Sequence, residues 1–215
     1  MSEIKIIANI LKSNDDVAAE NKKIFDQHGI YVINLMGSPG SGKTSLLEKI
    51  IDMLKSKIKI AVIEGDIYTT KDAERIEKHG VPVVQINTGG ACHLEAETVR
   101  RALENFCLSE IDLIFIENIG NLVCPAEFNL GEDIKLTVLS MPEGNDKLLK
   151  YPLIFEKAKA IVLSKIDLLA MTDFNKEEFY QDLAAINNDI NVFEVSSKNG
   201  RGIKELCAWL SEKAI

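Results

Sequence analysis

Residues 86–98 read "INTGGACHLEAET", which sets Cys92 beside His93, and a second thiol, Cys124, follows in "NLVCPAEF". Two thiols and an imidazole form a borderline-to-soft donor set, suited to Zn²⁺ or Ni²⁺ and poorly suited to Mg²⁺ or Ca²⁺. Three ligands leave a tetrahedral Zn²⁺ or a square-planar Ni²⁺ short. A two-fold dimer could pool ligands from both chains. The chain has two other histidines, His28 and His79, each followed by glycine and then an apolar run. Both read as helix C-terminal caps, with the imidazole on the last carbonyls and Gly29 or Gly80 taking the left-handed turn. His93 reads instead as the opening of a helix, where a cationic ring is disfavoured and a neutral one can coordinate. The same field is expected to acidify the Cys92 thiol. Cys107 ("ALENFCL") and Cys207 ("ELCAWL") read as core thiols.

A second group of residues is suited to phosphate. "GSPGSGKT" runs Gly37-Ser38-Pro39-Gly40-Ser41-Gly42-Lys43-Thr44, with Ser45 next, after the apolar run 30–36 and before a helical pattern. Glycines let backbone N–H groups turn toward phosphate oxygens, and the following helix adds its positive end. Lys43 would reach the β- and γ-phosphates, and the Thr44 hydroxyl would hold Mg²⁺.

Three further segments narrow the nucleotide to GTP or GDP. "LIFIENIG" ends a buried strand at Glu117 and places Gly120 three residues later, a D-x-x-G pattern with Glu for Asp. "SKID" supplies Lys165, whose stem would lie along the base, and Asp167, which can accept from guanine N1–H and its exocyclic amine. "VSSKNG" then brings Ser196, Ser197 and Lys198 toward the guanine O6. Asp66 leaves the second strand and is assigned to Mg²⁺ or its waters together with Thr44 and Glu117. Asp72 is either a further Mg²⁺ partner or a helix N-cap, with Thr69 and Thr70 as rivals for the cap. Lys43, Asp66, Glu117 and Gly120 form the candidate catalytic set. Asn121 stands where many GTPases carry a water-orienting Gln, so slow intrinsic hydrolysis is expected, helped by a carboxylate such as Asp66 or by a partner.

The elements that must position these groups are legible in the hydropathy pattern. Apolar, β-branched runs at 30–36, 58–65, 81–87, 111–118, 134–140, 160–165 and 190–196 alternate with helical stretches such as 43–55, 70–79, 93–106 and 202–213. Such runs imply strands buried on both faces, hence a three-layer, doubly wound, mostly parallel α/β sheet of about seven strands. Residues 3–27, with apolar Ile7, Leu11, Ala18 and Phe25, suit an amphipathic first helix, so the expected division is a helical extension over 1–29 and a P-loop GTPase domain over 30–215. Apolar residues make up 46% and charged residues 27%, an ordinary globular balance, and the net charge of −8 argues against nucleic acid or an anionic membrane as partner. No run suits a membrane span or signal peptide, so the cytoplasm is the expected compartment, with its four cysteines reduced.

With "GSPGSGKT", "GDI…DAER", "NTGGACHLEA", "FIENIGNLVCPAEFNLGE", "SKIDLL" and "VSSKNGRG" in place, the chain closely resembles the HypB family over essentially its whole length. These are nickel-incorporation GTPases of [NiFe]-hydrogenase maturation, within the SIMIBI class of P-loop proteins. The resemblance implies a GTP-promoted homodimer and a Ni²⁺ or Zn²⁺ site of Cys92, His93 and Cys124 beside the switch region. It also implies handover of Ni²⁺ to the hydrogenase large-subunit precursor in company with the zinc metallochaperone HypA. Many family members carry an N-terminal Cys motif or a His-rich tract, but residues 1–29 contain no Cys and only His28, so a tight N-terminal nickel site and a storage role are not expected. Lys147 and Lys150 are candidates for a lysine that approaches the nucleotide across a dimer, and a solvated helical face explains either equally well. The alternatives are a urease accessory GTPase, whose motif is Cys-Pro-His, and a nickel- or zinc-sensing GTPase switch. The guanine motif argues against a small-molecule kinase.

Overall fold

The computed structural model describes residues 10–214, so Ile7 and the rest of 1–9 lie outside the described residues. Helix α1 (Ile10–His28) leads into strict alternation: β1 (Tyr31–Gly37), α2 (Lys43–Leu54), β2 (Ile60–Asp66), α3 (Lys71–Glu77), β3 (Val83–Asn87), α4 (Ala96–Leu103) and β4 (Leu113–Glu117). After the short α5 (Cys124–Glu127) come β5 (Ile134–Ser140), α6 (Lys147–Lys150), α7 (Pro152–Lys157), β6 (Ala160–Ser164), α8 (Lys176–Ile186), β7 (Asn191–Glu194) and α9 (Ile203–Ala214). All seven apolar runs thus form strands. They build one sheet in the order β3-β2-β4-β1-β5-β6-β7, and every pairing is parallel rather than mostly so.

Burial on both faces explains why the runs are continuous. On β4, Leu113 and Phe115 face the cluster closed by Leu47 and Ile50 of α2 and Leu206 and Leu210 of α9. The intervening Ile114 and Ile116 face Phe25 of α1 and Val99 and Leu103 of α4. Phe155 of α7 and Phe179 of α8 cover β5 and β6 on Leu139, Ile161 and Leu163. Full burial of side chains of this size contributes about 1.5–3 kcal/mol each.

Register then sets the site. Leu113 of β4 lies opposite both Tyr31 of β1 and Ile60 of β2, and Glu117 lies opposite both Leu35 and Glu64. The chain therefore leaves β1, β2 and β4 on one rim, where ligands bind in open parallel sheets.

Helix α4 starts at Ala96, not at 93. Leu94, only 1% exposed, is buried in the α1/α4 cluster, and its amide donates to Asn118 Oδ1 at 3.3 Å. Cys92 and His93 consequently stand in a loop, which corrects the placement of His93 at the opening of a helix. Helix α1 is bonded to this loop and to the one after Cys124. Asn14 accepts from Ala96 N at 2.8 Å and donates to Asn129 O at 2.7 Å, while Asn21 donates to Ala96 O at 2.8 Å and Leu130 O at 3.1 Å. Among the described residues no helix is long and apolar enough to cross a membrane.

Candidate nucleotide and metal site

The glycines of the 37–44 loop all adopt positive φ, where a side chain would be strained. At Gly37, φ is +148° and a Cβ would lie 2.4 Å from Val138 O. Gly42, at φ +97°, precedes α2 and has no side chain to occupy the first helical amides, which stay available to an anion. Lys43 Nζ donates to Gly37 O and Ser38 O, each at 3.3 Å, so the lysine rests on the carbonyls of its own loop. Ser38 donates to Glu143, and Ser164 Oγ donates to Ser41 O at 2.5 Å. Pro39 packs against Gly120, where a Cβ would meet Pro39 backbone atoms at 2.8 Å. A cleft of about 460 Å³ is lined by Pro39, Gly40, Gly42, Lys43, Thr44 and Ser45 on one side, and by Glu64, Asp66, Asp72, Arg75, Glu117 and Gly120 on the other.

Thr44 Oγ1 donates to Glu117 Oε1 at 2.8 Å, which places the two proposed Mg²⁺ partners together. Beside them is a residue that the sequence reading missed. Glu64 is 2% exposed, and its Oε2 and that of Glu117 are buried without a hydrogen-bond partner among the described residues. Burial, reinforced by Glu117 and Asp72, raises the Glu64 carboxyl far above its usual range. Burial also raises Glu117, against the pull of Lys43 and Thr44. Two buried carboxyls in contact cannot both be charged, so the pair retains a proton. Orphaned carboxylate oxygens next to a hydroxyl suit a hard cation such as Mg²⁺.

Asp66 is folded into its own turn: Oδ1 accepts from Tyr68 N at 2.8 Å and Thr69 N at 2.9 Å. Burial pushes its carboxyl up, but the bonds from Thr69 and Tyr68 prevail and hold it below the usual value. Thr70 occupies the N-cap position of α3, and Asp72 lies inside the first turn. Asp72 accepts from Arg75 Nη1 at 3.0 Å; Arg75 also grips Glu48 through Nε at 3.0 Å and Nη2 at 2.8 Å, and donates to Ser45 Oγ at 3.0 Å. Arg75, also missed, is thus a cation at the cleft wall that links α3 to α2.

A neighbouring cleft of about 480 Å³ gathers residues that the sequence assigns to the base: it is lined by Lys165, Asp167, Ser197 and Lys198, among others. Lys165 adopts a left-handed φ of 57° and donates to Gly40 O at 2.6 Å. Ser196 is fully buried and donates to Asp167 Oδ1 at 2.6 Å, so it stands behind Asp167 rather than in the cleft. That bond, ahead of all other causes, holds the Asp167 carboxyl below its usual value.

Among the described residues, one cluster of soft ligand groups stands out: Cys92, His93 and Cys124, each offering a donor atom within 4.8 Å of the others. Cys92 Sγ lies 3.0 Å from Cys124 Sγ and 3.6 Å from His93 Nδ1. The His93 ring stacks on Phe128 with centroids 3.7 Å apart. Its Nε2 is buried with no hydrogen bond among the described residues, 3.9 Å from Glu95 Oε1. Burial lowers the His93 pKa despite Glu95 and Glu127, which favours the neutral imidazole, the form able to coordinate. The bond with Cys92, then burial, raises the Cys124 thiol.

His28 Nδ1 lies 3.0 Å from Ile24 O, as a cap should, whereas His79 Nδ1 pairs with Asp52 Oδ1 of α2 at 2.7 Å instead of capping carbonyls. Cys207 is buried, but Cys107 is exposed: α4 ends at Leu103, so the thiol falls in a surface connection. Lys147 and Lys150 both bond Asp146, as a solvated face would have it.

Residues 31–194 match the family model for the CobW/HypB/UreG nucleotide-binding domain. The hydrogenase maturation factor HypB of Azotobacter vinelandii is 48% identical over 98% of this chain and 69% of its own length. A probable hydrogenase maturation factor HypB of Methanocaldococcus jannaschii is 45% identical over 99% of this chain and 96% of its own. The crystal structure of HypB from Helicobacter pylori in complex with nickel superposes with a TM-score of 0.89 at 41% identity, covering 94% of this chain and 95% of that one.

Proposed function

The chain belongs to the CobW/HypB/UreG family of nucleotide-binding proteins, and on that premise we propose that it is a GTP-hydrolysing metallochaperone. Its cargo would be nickel for [NiFe]-hydrogenase maturation, held at Cys92, His93 and Cys124. One observation carries the reading: the three soft ligand atoms gather within 4.8 Å on the same strand-end rim as the P-loop. Cys124 follows Gly120 by four residues, so the loop that meets the nucleotide also bears a ligand. The metal-bound relative of Helicobacter pylori supports nickel as the cargo.

In this reading Lys43 leaves Gly37 O and Ser38 O for the phosphates. The α2 amides receive the negative charge, and Asp167 with Lys165 selects guanine. Water attacks the γ-phosphorus and GDP departs with the β–γ bridging oxygen. Thr44 and Glu117 would hold Mg²⁺, which supplies charge neutralisation at the phosphates; Asp66, which lines the same cleft, would serve it or its waters. Asn121 does not line the phosphate cleft, which supports slow intrinsic turnover. GTP would promote a homodimer that completes the metal's coordination. HypA-type zinc chaperones and a hydrogenase large-subunit precursor would be the partners. Residues 1–29 and 30–215 would act as helical extension and GTPase domain.

The test is to size the protein with GDP or a non-hydrolysable GTP analogue, with and without Ni²⁺, while counting metal per chain. A GTP-dependent dimer carrying bound Ni²⁺ supports the proposal. A monomer in every condition, or no stoichiometric metal, sinks it.

A further inference from the structure

Asn121 occupies a position from which it meets both halves of the site. Its backbone amide donates to Gly37 O at 3.0 Å, forming an isolated bridge between the phosphate loop and the segment after β4. Its side chain turns the other way. Nδ2 donates to Cys92 O at 3.1 Å, and Oδ1 accepts from Val123 N at 2.9 Å, one residue before Cys124. The same side chain also reaches the Cys124 thiol. A single asparagine therefore contacts Cys92, the chain leading to Cys124, and the first carbonyl of the phosphate loop.

We propose that Asn121 is a positioning residue for metal binding, clasping Cys92 to Cys124 and suspending that clasp from the phosphate loop. The state of the nucleotide then sets how firmly the two sulfurs hold an ion. This rests on the metallochaperone reading and adds the element by which the two sites communicate.

The coupling has a defined origin. Gly37 O accepts both from Asn121 N and from Lys43 Nζ. When Lys43 turns to the phosphates, that carbonyl keeps Asn121 as its remaining donor. Gly120 gives the arrangement little slack, because its Cα faces the Pro39 backbone too closely for a Cβ. Displacement of the 37–40 loop by a phosphate is thereby passed to residue 121, and from its amide to Cys92 and Cys124. A side chain that only filled space would have no such directional bonds.

The experiment measures Ni²⁺ affinity by competition with a chromogenic chelator, in full-length protein loaded with GDP or with a non-hydrolysable GTP analogue. Wild type should show affinities that differ by at least about fivefold between the two states. In Asn121→Ala the two affinities should converge to within about twofold. Asn121→Asp retains an acceptor for Val123 N but loses the donor to Cys92 O, and should converge likewise. Both variants are melted to verify folding, and the readout is the ratio of affinities, which a uniform loss of stability would leave in place. Equal affinities in wild type would overturn the metallochaperone coupling itself. A wild-type ratio that survives in either folded variant would overturn the role of Asn121 alone.

Discussion

Glu64 and Glu117 stand side by side in register on the adjacent strands β2 and β4, at 2% and 3% exposure, with Thr44 donating to Glu117. Both carboxyl pKa values are raised, by burial first. The groups facing the pair are Lys43, Thr44 and Asp72.

For groups whose folded pKa is raised, stability is fully present below the unfolded value, about 4.3 for Glu, and is lost as pH climbs through the folded value. Nucleotide-free protein in chelator should therefore melt lower at pH 8 than at pH 6. Glu64→Gln, which keeps the shape without the titrating proton, should flatten this slope and raise the melting temperature at pH 8. A slope unchanged in the variant would remove the pair as its source.

In the proposed reading the Asp167 carboxylate, held by Ser196, would offer oxygen acceptors to the two donors of guanine. Asp167→Asn replaces one acceptor by a donor, so GDP affinity should fall by roughly 100- to 10,000-fold, at about 1.5–3 kcal/mol per charge-assisted bond. Xanthosine diphosphate, which presents a carbonyl where guanine has its amine, should bind the variant better than GDP does. Calorimetry with both nucleotides checks this.

Gly120→Ala sets a methyl 2.8 Å from Pro39 backbone atoms, which cannot yield as a flexible side chain would. The phosphate loop must shift, at a cost of about 1–3 kcal/mol. The expected result is weaker GDP binding together with a lower melting temperature, and native binding in the variant would show that the contact is loose.

Thiol chemistry separates the cysteines. Burial pushes the Cys207 thiol up to about 12, whereas Cys107 and Cys92 are exposed. Iodoacetamide followed by peptide mass mapping should label Cys107 promptly and spare Cys207 until the protein is denatured. Ni²⁺ should slow labelling of Cys92 and Cys124 without affecting Cys107. Equal protection of Cys92, Cys107 and Cys124 would dissociate the metal from the cluster.

The strands were legible because both faces of the sheet are covered, so each run is apolar without interruption, and the phosphate loop because its residue types answer to one ligand. Glu64 escaped notice because "VIEGD" reads as a strand ending at Asp66, and only the register reveals a second carboxyl opposite Glu117. An acidic residue inside an otherwise apolar run was the available signal. Arg75 resembled any helix-surface charge, since its partners Glu48 and Ser45 lie 27 and 30 residues away in sequence. The proximity of Cys92 to Cys124 spans 32 residues and depends on the sheet order β3-β2-β4, which local pattern does not encode. His93 was misplaced because helical periodicity continues through Leu94, whose side chain is instead taken by the core.

Helix α1 carries a mechanical consequence through Asn14 and Asn21. These two side chains pin Ala96, a short way beyond Cys92, and Asn129 and Leu130, a short way beyond Cys124. A rearrangement that parted Cys92 from Cys124 would work against those four hydrogen bonds, like the two jaws of a pair of tweezers joined at the heel. The stiffness of the heel would then set the force with which the jaws close. If the cluster holds an ion as proposed, a substitution at Asn21, which bonds Ala96 O and Leu130 O and no proposed ligand, would alter how quickly the ion escapes while leaving the list of atoms that bind it unchanged.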